Sequence, residues 1–222
     1  MKKHIYLIFL LLIVGDVFSQ TFTNPIIAGG YPDPSICRVG DDFYIVNSSF
    51  EYFPGLPIHH SKDLVNWELV GYGLDRPEQC QNPNNLVDVQ QRGGIHAPTI
   101  RHHNGTFYII TTNVYTPINK DKPTDMVNFI ITADNAAGPW SMPHRIEGAP
   151  GIDPDLFFDD DGKVYFVGTH DVGRPNANGI GEIWIQELDL DNWKLKGERH
   201  SVWRGACGGC CVEGPHIYKH YN

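Results

Sequence analysis

Apolar and aromatic residues in this chain fall in short runs, and each run is bounded by turn-forming residues. Asp42-Phe-Tyr-Ile-Val-Asn-Ser-Ser, Thr106-Phe-Tyr-Ile-Ile-Thr-Thr, Lys163-Val-Tyr-Phe-Val-Gly-Thr and Glu182-Ile-Trp-Ile-Gln-Glu-Leu are rich in β-branched and aromatic side chains. Gly40-Asp41, Asn104-Gly105, Asp161-Gly162 and Gly181 bracket them. Such runs predict strands, and no stretch keeps a helical period over about eleven residues. The fold class is therefore all-β.

The runs repeat. Asp33-Pro-Ser-Ile with Gly40, Phe43 and Tyr44 returns as Ala97-Pro-Thr-Ile with Gly105, Phe107 and Tyr108. It returns again as Asp153-Pro-Asp-Leu with Gly162, Val164 and Tyr165, and a fourth start reads Glu213-Gly-Pro-His-Ile-Tyr218. The starts at 33, 97, 153 and 213 lie 64, 56 and 60 residues apart, the period of an array of strand-built units such as propeller units. Equivalent positions of a radial array face a shared axis, so Asp33, Asp153 and Glu213 should converge. Three full units and the beginning of a fourth are present, so the array reads as the N-terminal part of a longer propeller whose C-terminal remainder is missing.

Tryptophan recurs late in each unit, in Leu64-Val-Asn-Trp67, Ala137-Gly-Pro-Trp140 and Leu190-Asp-Asn-Trp193. A Trp at one phase of a repeat is expected to pack between sheets. Residues 72–95 and 113–128 read as loops, and loops on one face of an array line its binding site.

Residues 1–19 stand apart. Lys2 and Lys3 precede an apolar run from Ile5 to Val14, and Val17-Phe18-Ser19 offers a small residue before Gln20. This is the layout of a secretory signal peptide, with residues 20–222 as the exported part, secreted or periplasmic. Its removal takes two lysines and one aspartate and moves the net charge from −9 to −10. An acidic chain without a Lys/Arg cluster argues against nucleic acid and membrane surfaces as partners, and is compatible with neutral sugars.

Five cysteines, Cys37, Cys80, Cys207, Cys210 and Cys211, leave an odd thiol in an exported chain. Cys207-Gly-Gly-Cys210-Cys211 lacks the second Cys/His pair of a structural zinc, so a disulfide or small-residue packing is the expectation there. Asp159, Asp160 and Asp161 read as a solvated turn, with calcium the alternative.

The blocks Asn24-Pro-Ile-Ile-Ala-Gly-Gly-Tyr-Pro-Asp33-Pro-Ser-Ile, Ser49-Phe-Glu-Tyr-Phe-Pro-Gly, His60-Ser-Lys-Asp-Leu-Val-Asn-Trp67, Gly93-Gly-Ile-His-Ala-Pro98, Gly151-Ile-Asp153-Pro-Asp-Leu-Phe and Val212-Glu213-Gly-Pro-His-Ile-Tyr resemble glycoside hydrolase family 43. The likeness is greatest to its β-xylosidase and α-L-arabinofuranosidase members and covers nearly everything after the leader. The resemblance implies a five-bladed β-propeller, of which about three blades and the start of a fourth are present. It also implies an inverting exo-glycosidase acting on xylo- or arabino-oligosaccharides from hemicellulose. Carried over block by block, it makes Asp33 the general base, Glu213 the general acid, and Asp153 the residue that orients the acid and raises its pKa. Phe50 matches a residue that packs against the sugar, and His96 stands where xylosidase members often have Trp. The cysteine run before Glu213 departs from the pattern, and the fifth blade and a C-terminal β-sandwich are not in the sequence.

These roles agree with the chemistry. Inverting hydrolysis needs one ionised carboxylate to activate water and one protonated carboxyl at the leaving oxygen, about 6.5–9.5 Å apart. A third carboxylate can keep the acid protonated. No cofactor is required. For Asp153 the competitor is Asp155, two residues on. The alternative function is a carbohydrate-binding propeller without catalysis.

Overall fold

The computed structural model describes residues 21–81, 85–171, 181–206 and 212–220. The leader expected at 1–19 and Cys207, Cys210 and Cys211 lie outside the described residues. The described residues fold into three four-stranded antiparallel sheets, each a meander in chain order. The first holds β1 (Ser35–Val39), β2 (Asp42–Val46), β3 (Gly55–Ser61) and β4 (Glu68–Leu74). The second holds β5 (Gly94–His103), β6 (Thr106–Tyr115), β7 (Asp125–Ala133) and β8 (His144–Arg145). The third holds β9 (Ile152–Phe158), β10 (Val164–His170), β11 (Glu182–Asp189) and β12 (Lys194–Trp203). The all-β expectation holds, and the first strands of successive sheets adjoin, β1 against β5 and β5 against β9.

Side-chain alternation explains the stacking. In the second sheet Ile109 pairs with Ile131 and Ile110 with Ile130. Successive strand residues point to opposite faces, so Ile109 and Ile131 enter a core shared with Val46, Leu56, Ile58 and Trp140. Ile110 and Ile130 enter another, with Leu156, Phe166 and Trp184. A sheet covered on both faces reads as a near-continuous apolar run, which is why Phe-Tyr-Ile-Ile is unbroken in β6.

Two of the three repeat tryptophans, Trp140 and Trp193, pack as expected, whereas Trp67 lies in no core cluster. Trp140 is buried, and its indole N–H donates to Ala136 O at 3.2 Å. Trp193 stacks on His144 with ring centroids 4.1 Å apart. The loop expectation for 113–128 is corrected at both ends. Asn113 pairs with Val127 and Tyr115 with Asp125, so the ladder of β6 and β7 runs on into what composition alone suggested was loop. The loop expectation for 72–95 is likewise trimmed, since β4 runs to Leu74 and β5 starts at Gly94; the described residues between them hold one 3-10 turn, Pro77–Cys80, and a bridge of Val89 to Pro117.

Candidate active site

Asp33, Ala97 and Asp153 share an unusual backbone: φ is 51°, 31° and 55° respectively, and each precedes a proline. A proline ordinarily drives the residue before it into extended backbone, and a left-handed non-glycine residue costs about 1–3 kcal/mol. The same device therefore stands at the head of each sheet. Around Ala97 and Asp153 the ladder also breaks register, between His96 and Thr99 and between Val167 and Thr169. Bulges of this kind re-aim side chains beside sites. The fourth occurrence corrects the sequence alignment by one residue. The left-handed position before Pro215 is Gly214, with φ 63°, so Gly214 corresponds to Asp33 and Glu213 precedes that point.

The device brings the three carboxylates together. Asp33, Asp153 and Glu213 line one cavity of about 290 Å³ with Ala97, Gly214 and His216. A larger cavity, about 520 Å³, lies between Ile26 and the His60–Glu68 stretch of the first sheet. Its charged side chains are taken up by local pairs, His60 with Asp42 and Glu68 and Asp63 with Asn66. Chemistry favours the smaller cavity.

Asp33 is held from the residues just after β2. The hydroxyl of Ser48 donates to Asp33 Oδ2 at 2.6 Å, and the same Oγ accepts the backbone N–H of Ala97 at 2.6 Å. Asn47, buried beside it, donates through Nδ2 to Tyr31 O at 2.8 Å and Pro32 O at 3.1 Å. The approach to Asp33 is thus strapped to its own sheet and to the next.

Asp153 and Glu213 are joined through backbone. The N–H of Gly214 donates to Asp153 Oδ2 at 3.0 Å. Burial pushes the Asp153 carboxyl up to about 6, and the charges of Glu213 and Asp33 push the same way. The Gly214 N–H and His96 oppose them. Val212, just before Glu213, accepts the hydroxyl of Thr169 on its carbonyl. Asp155 is fully buried and belongs to the scaffold. Arg101 grips it through Nε at 3.0 Å and Nη2 at 2.7 Å, and the N–H of Ile217 donates to its Oδ2 at 2.9 Å. Asp153 lines the cavity, whereas Asp155 ties the second sheet, the third sheet and the segment carrying Glu213.

Phe50 and His96 meet edge to face, with ring centroids 4.9 Å apart. Phe50 and Ile95 exchange both backbone hydrogen bonds at 2.9 Å. That close approach requires glycine at position 94, where φ is 88° and a Cβ would collide with the Phe50 carbonyl. His96 Nδ1 donates to Gly94 O at 2.9 Å and its carbonyl accepts from Thr111 at 2.6 Å. Neither ring lines the cavity, although His96 is near enough to weigh on Asp153.

Sequence reasoning missed Ser48 and Arg101. Ser48, Thr112 and Thr169 each stand four residues after a strand tyrosine (Tyr44, Tyr108, Tyr165), a repeated hydroxyl that could have marked them.

Among the described residues no group of three His, Cys, Asp or Glu is disposed to hold a metal ion. In the acidic turn, Lys219 Nζ sits 2.7 Å from Asp159 and 2.6 Å from Asp160. Cys37 and Cys80 are free thiols in the first core; burial raises both, Cys80 to about 11, so neither is a poised nucleophile.

A model of the glycosyl hydrolases family 43 matches residues 22–222. The chain belongs to family 43. It is 52% identical over 204 residues to a xylosidase/arabinosidase of Butyrivibrio fibrisolvens, covering 88% of this chain and 36% of that one. It is 44% identical over 217 residues to a non-reducing end alpha-L-arabinofuranosidase of Bacteroides ovatus, covering 95% and 37%. Among solved structures, a xylan beta-1,4-xylosidase from Bacillus halodurans superposes with a TM-score of 0.77 at 40% identity, covering 90% of this chain and 37% of that one. The chain thus spans little more than a third of the length of these relatives.

Proposed function

We propose that this chain is the N-terminal part of a five-bladed propeller that hydrolyses β-xylosides or α-L-arabinofuranosides with inversion, from the ends of hemicellulose oligomers. The convergence of Asp33, Asp153 and Glu213 in one cavity carries this reading. The three described sheets are three blades, and the segment from Val212 opens the fourth. Relatives named for both xylosidase and arabinosidase activity support the substrate class.

Asp33 takes a proton from water as the oxygen attacks the anomeric carbon. Glu213 gives its proton to the glycosidic oxygen as that bond breaks on the opposite side of the sugar. Asp153, bonded to the residue after Glu213, orients the acid and places negative charge beside it. Phe50 and His96 form an aromatic wall beside the cavity for the sugar to rest on. Acid–base chemistry of this kind requires no cofactor, and a secreted or periplasmic location is supported by the leader-like layout of 1–19.

The test is incubation of the protein, at the full length of its relatives, with aryl β-xyloside and aryl α-L-arabinofuranoside, following the first-formed anomer by proton NMR. Inverted product from either substrate supports the reading. Retained configuration overturns it, and binding without turnover leaves a carbohydrate-binding propeller.

A further inference from the structure

We infer that Ser48 is a positioning residue for the general base: its hydroxyl, oriented by the Ala97 amide of the next sheet, fixes which oxygen of Asp33 faces the water. This inference rests on the reading of Asp33 as base.

A hydroxyl has one hydrogen to give and two lone pairs to accept with. The Ala97 N–H can only donate, so at 2.6 Å the Ser48 oxygen must be its acceptor. An ionised Asp33 can only accept, so the Ser48 hydrogen must point to Oδ2, also at 2.6 Å. The hydroxyl rotor therefore has one orientation. Amide, hydroxyl and carboxylate form a single directed chain, in which each bond polarises the next.

The serine itself is fixed. It is buried two residues beyond β2, and its own N–H donates to Pro32 O at 3.1 Å, one residue before Asp33. Asp33, by contrast, is exposed, and the Ser48 bond holds its carboxylate at Oδ2, leaving Oδ1 for water.

The comparison within the repeat separates this role from plain scaffolding. Thr112 and Thr169 occupy the equivalent places, but their hydroxyls end on Asn128 Oδ1 at 2.7 Å and on the Val212 carbonyl. Of the three, the Ser48 hydroxyl is the one that ends on a carboxylate of the cavity.

The experiment is a kinetic cycle at positions 48 and 33 in the protein at the full length of its relatives. Ser48→Ala should lower kcat by ~10–10²-fold, the scale of a misplaced reacting group. KM should stay within about twofold, because ground-state binding is untouched. The loss should be the same for an aryl glycoside and for a sugar-alcohol leaving group, since the water and not the leaving oxygen is affected. Ser48→Thr, which keeps the hydroxyl, should restore most of the rate. If Ser48→Ala does not fold, Ser48→Cys carries the test, since its thiol is similar in shape and a weak donor. In an Asp33→Asn background the Ser48 change should cost nothing further. Wild-type kcat in both Ser48→Ala and Ser48→Cys, a loss expressed only in KM, or an undiminished cost in the Asp33→Asn background would overturn the inference. An Asp33→Asn enzyme with near-normal turnover would instead remove the reading of Asp33 as base.

Discussion

The backbone N–H of Gly214 donates to Asp153 Oδ2 at 3.0 Å, so the residue that follows Glu213 is tethered to the carboxylate that burial pushes up to about 6. Ionising Asp153 therefore costs free energy in the folded protein that it does not cost in the unfolded chain.

Stability should carry that cost as a pH dependence. The folded value lies above the unfolded value of about 3.9. Wild-type stability then falls as pH rises from about 4 through about 6, and the deficit is fully present above that. Asp153→Asn keeps an acceptor for Gly214 but cannot ionise. Its melting temperature should exceed wild type by a few degrees at about pH 8, with the gap closing towards about pH 4. Equal melting curves at both pH values would contradict the burial of this charge.

Leaving-group chemistry should separate Glu213 from Asp33. Protonation matters most for a poor leaving group and least for an activated phenol. Glu213→Gln should lose most activity on xylo- or arabino-oligomers yet keep much more on an aryl glycoside of low leaving-group pKa. Asp33→Asn should lose ~10²–10⁴-fold on both, as expected for a missing general base. Parallel kinetics on the two substrate types decide the roles, and equal damage by Glu213→Gln on both would reverse them.

Arg101 should matter to stability more than any surface ion pair. Its partner Asp155 is fully buried, and Arg101→Met would strand that carboxylate at a cost of about 3–5 kcal/mol. Adding Asp155→Asn, which still accepts from Ile217, should recover a large part of the loss. Urea unfolding of the single and double variants measures both.

His60 should give stability the same sign of pH dependence for a different reason. Its Nε2 lies 2.6 Å from Asp42 and its Nδ1 3.2 Å from Glu68, so one imidazolium bridges carboxylates on β2 and β4. The bond to Asp42 raises His60 above its usual value, and Glu68 adds to it. The stabilisation is complete below the unfolded value of about 6.5 and is lost as pH rises through the folded value. His60→Gln should lower the melting temperature at about pH 5 and much less at about pH 9. A constant difference would show that the charge is not involved.

The strands, the repeat and the cavity carboxylates were legible in the sequence because they rest on local signals. Examples are the turn pair Asn104-Gly105, the apolar run of β6, and an acidic residue before each Pro34 and Pro154. What escaped were partnerships across sheets. Ser48 reads as one more polar residue after a strand until Ala97 is found against it, and Asp155 competed with Asp153 until Arg101, 54 positions away, was seen to occupy it. The one-residue offset at Glu213 had a signal too, since Pro215 and Ile217 align with Pro34 and Ile36 when Gly214, not Glu213, is matched to Asp33. The acidic side chain drew attention away from the backbone that defines the repeat.

The left-handed residue before proline turns out to be a socket independent of its contents. It holds aspartate in the first and third sheets, alanine in the second and glycine in the fourth segment, at φ between 31° and 63°. Ala97 and Gly214 are the empty ones: neither carries a reactive group, and each lends its amide to a neighbour, Ala97 to Ser48 and Gly214 to Asp153. A scaffold that separates geometry from chemistry in this way can gain or lose a reactive group at one position by a single substitution, with the backbone that aims it already in place.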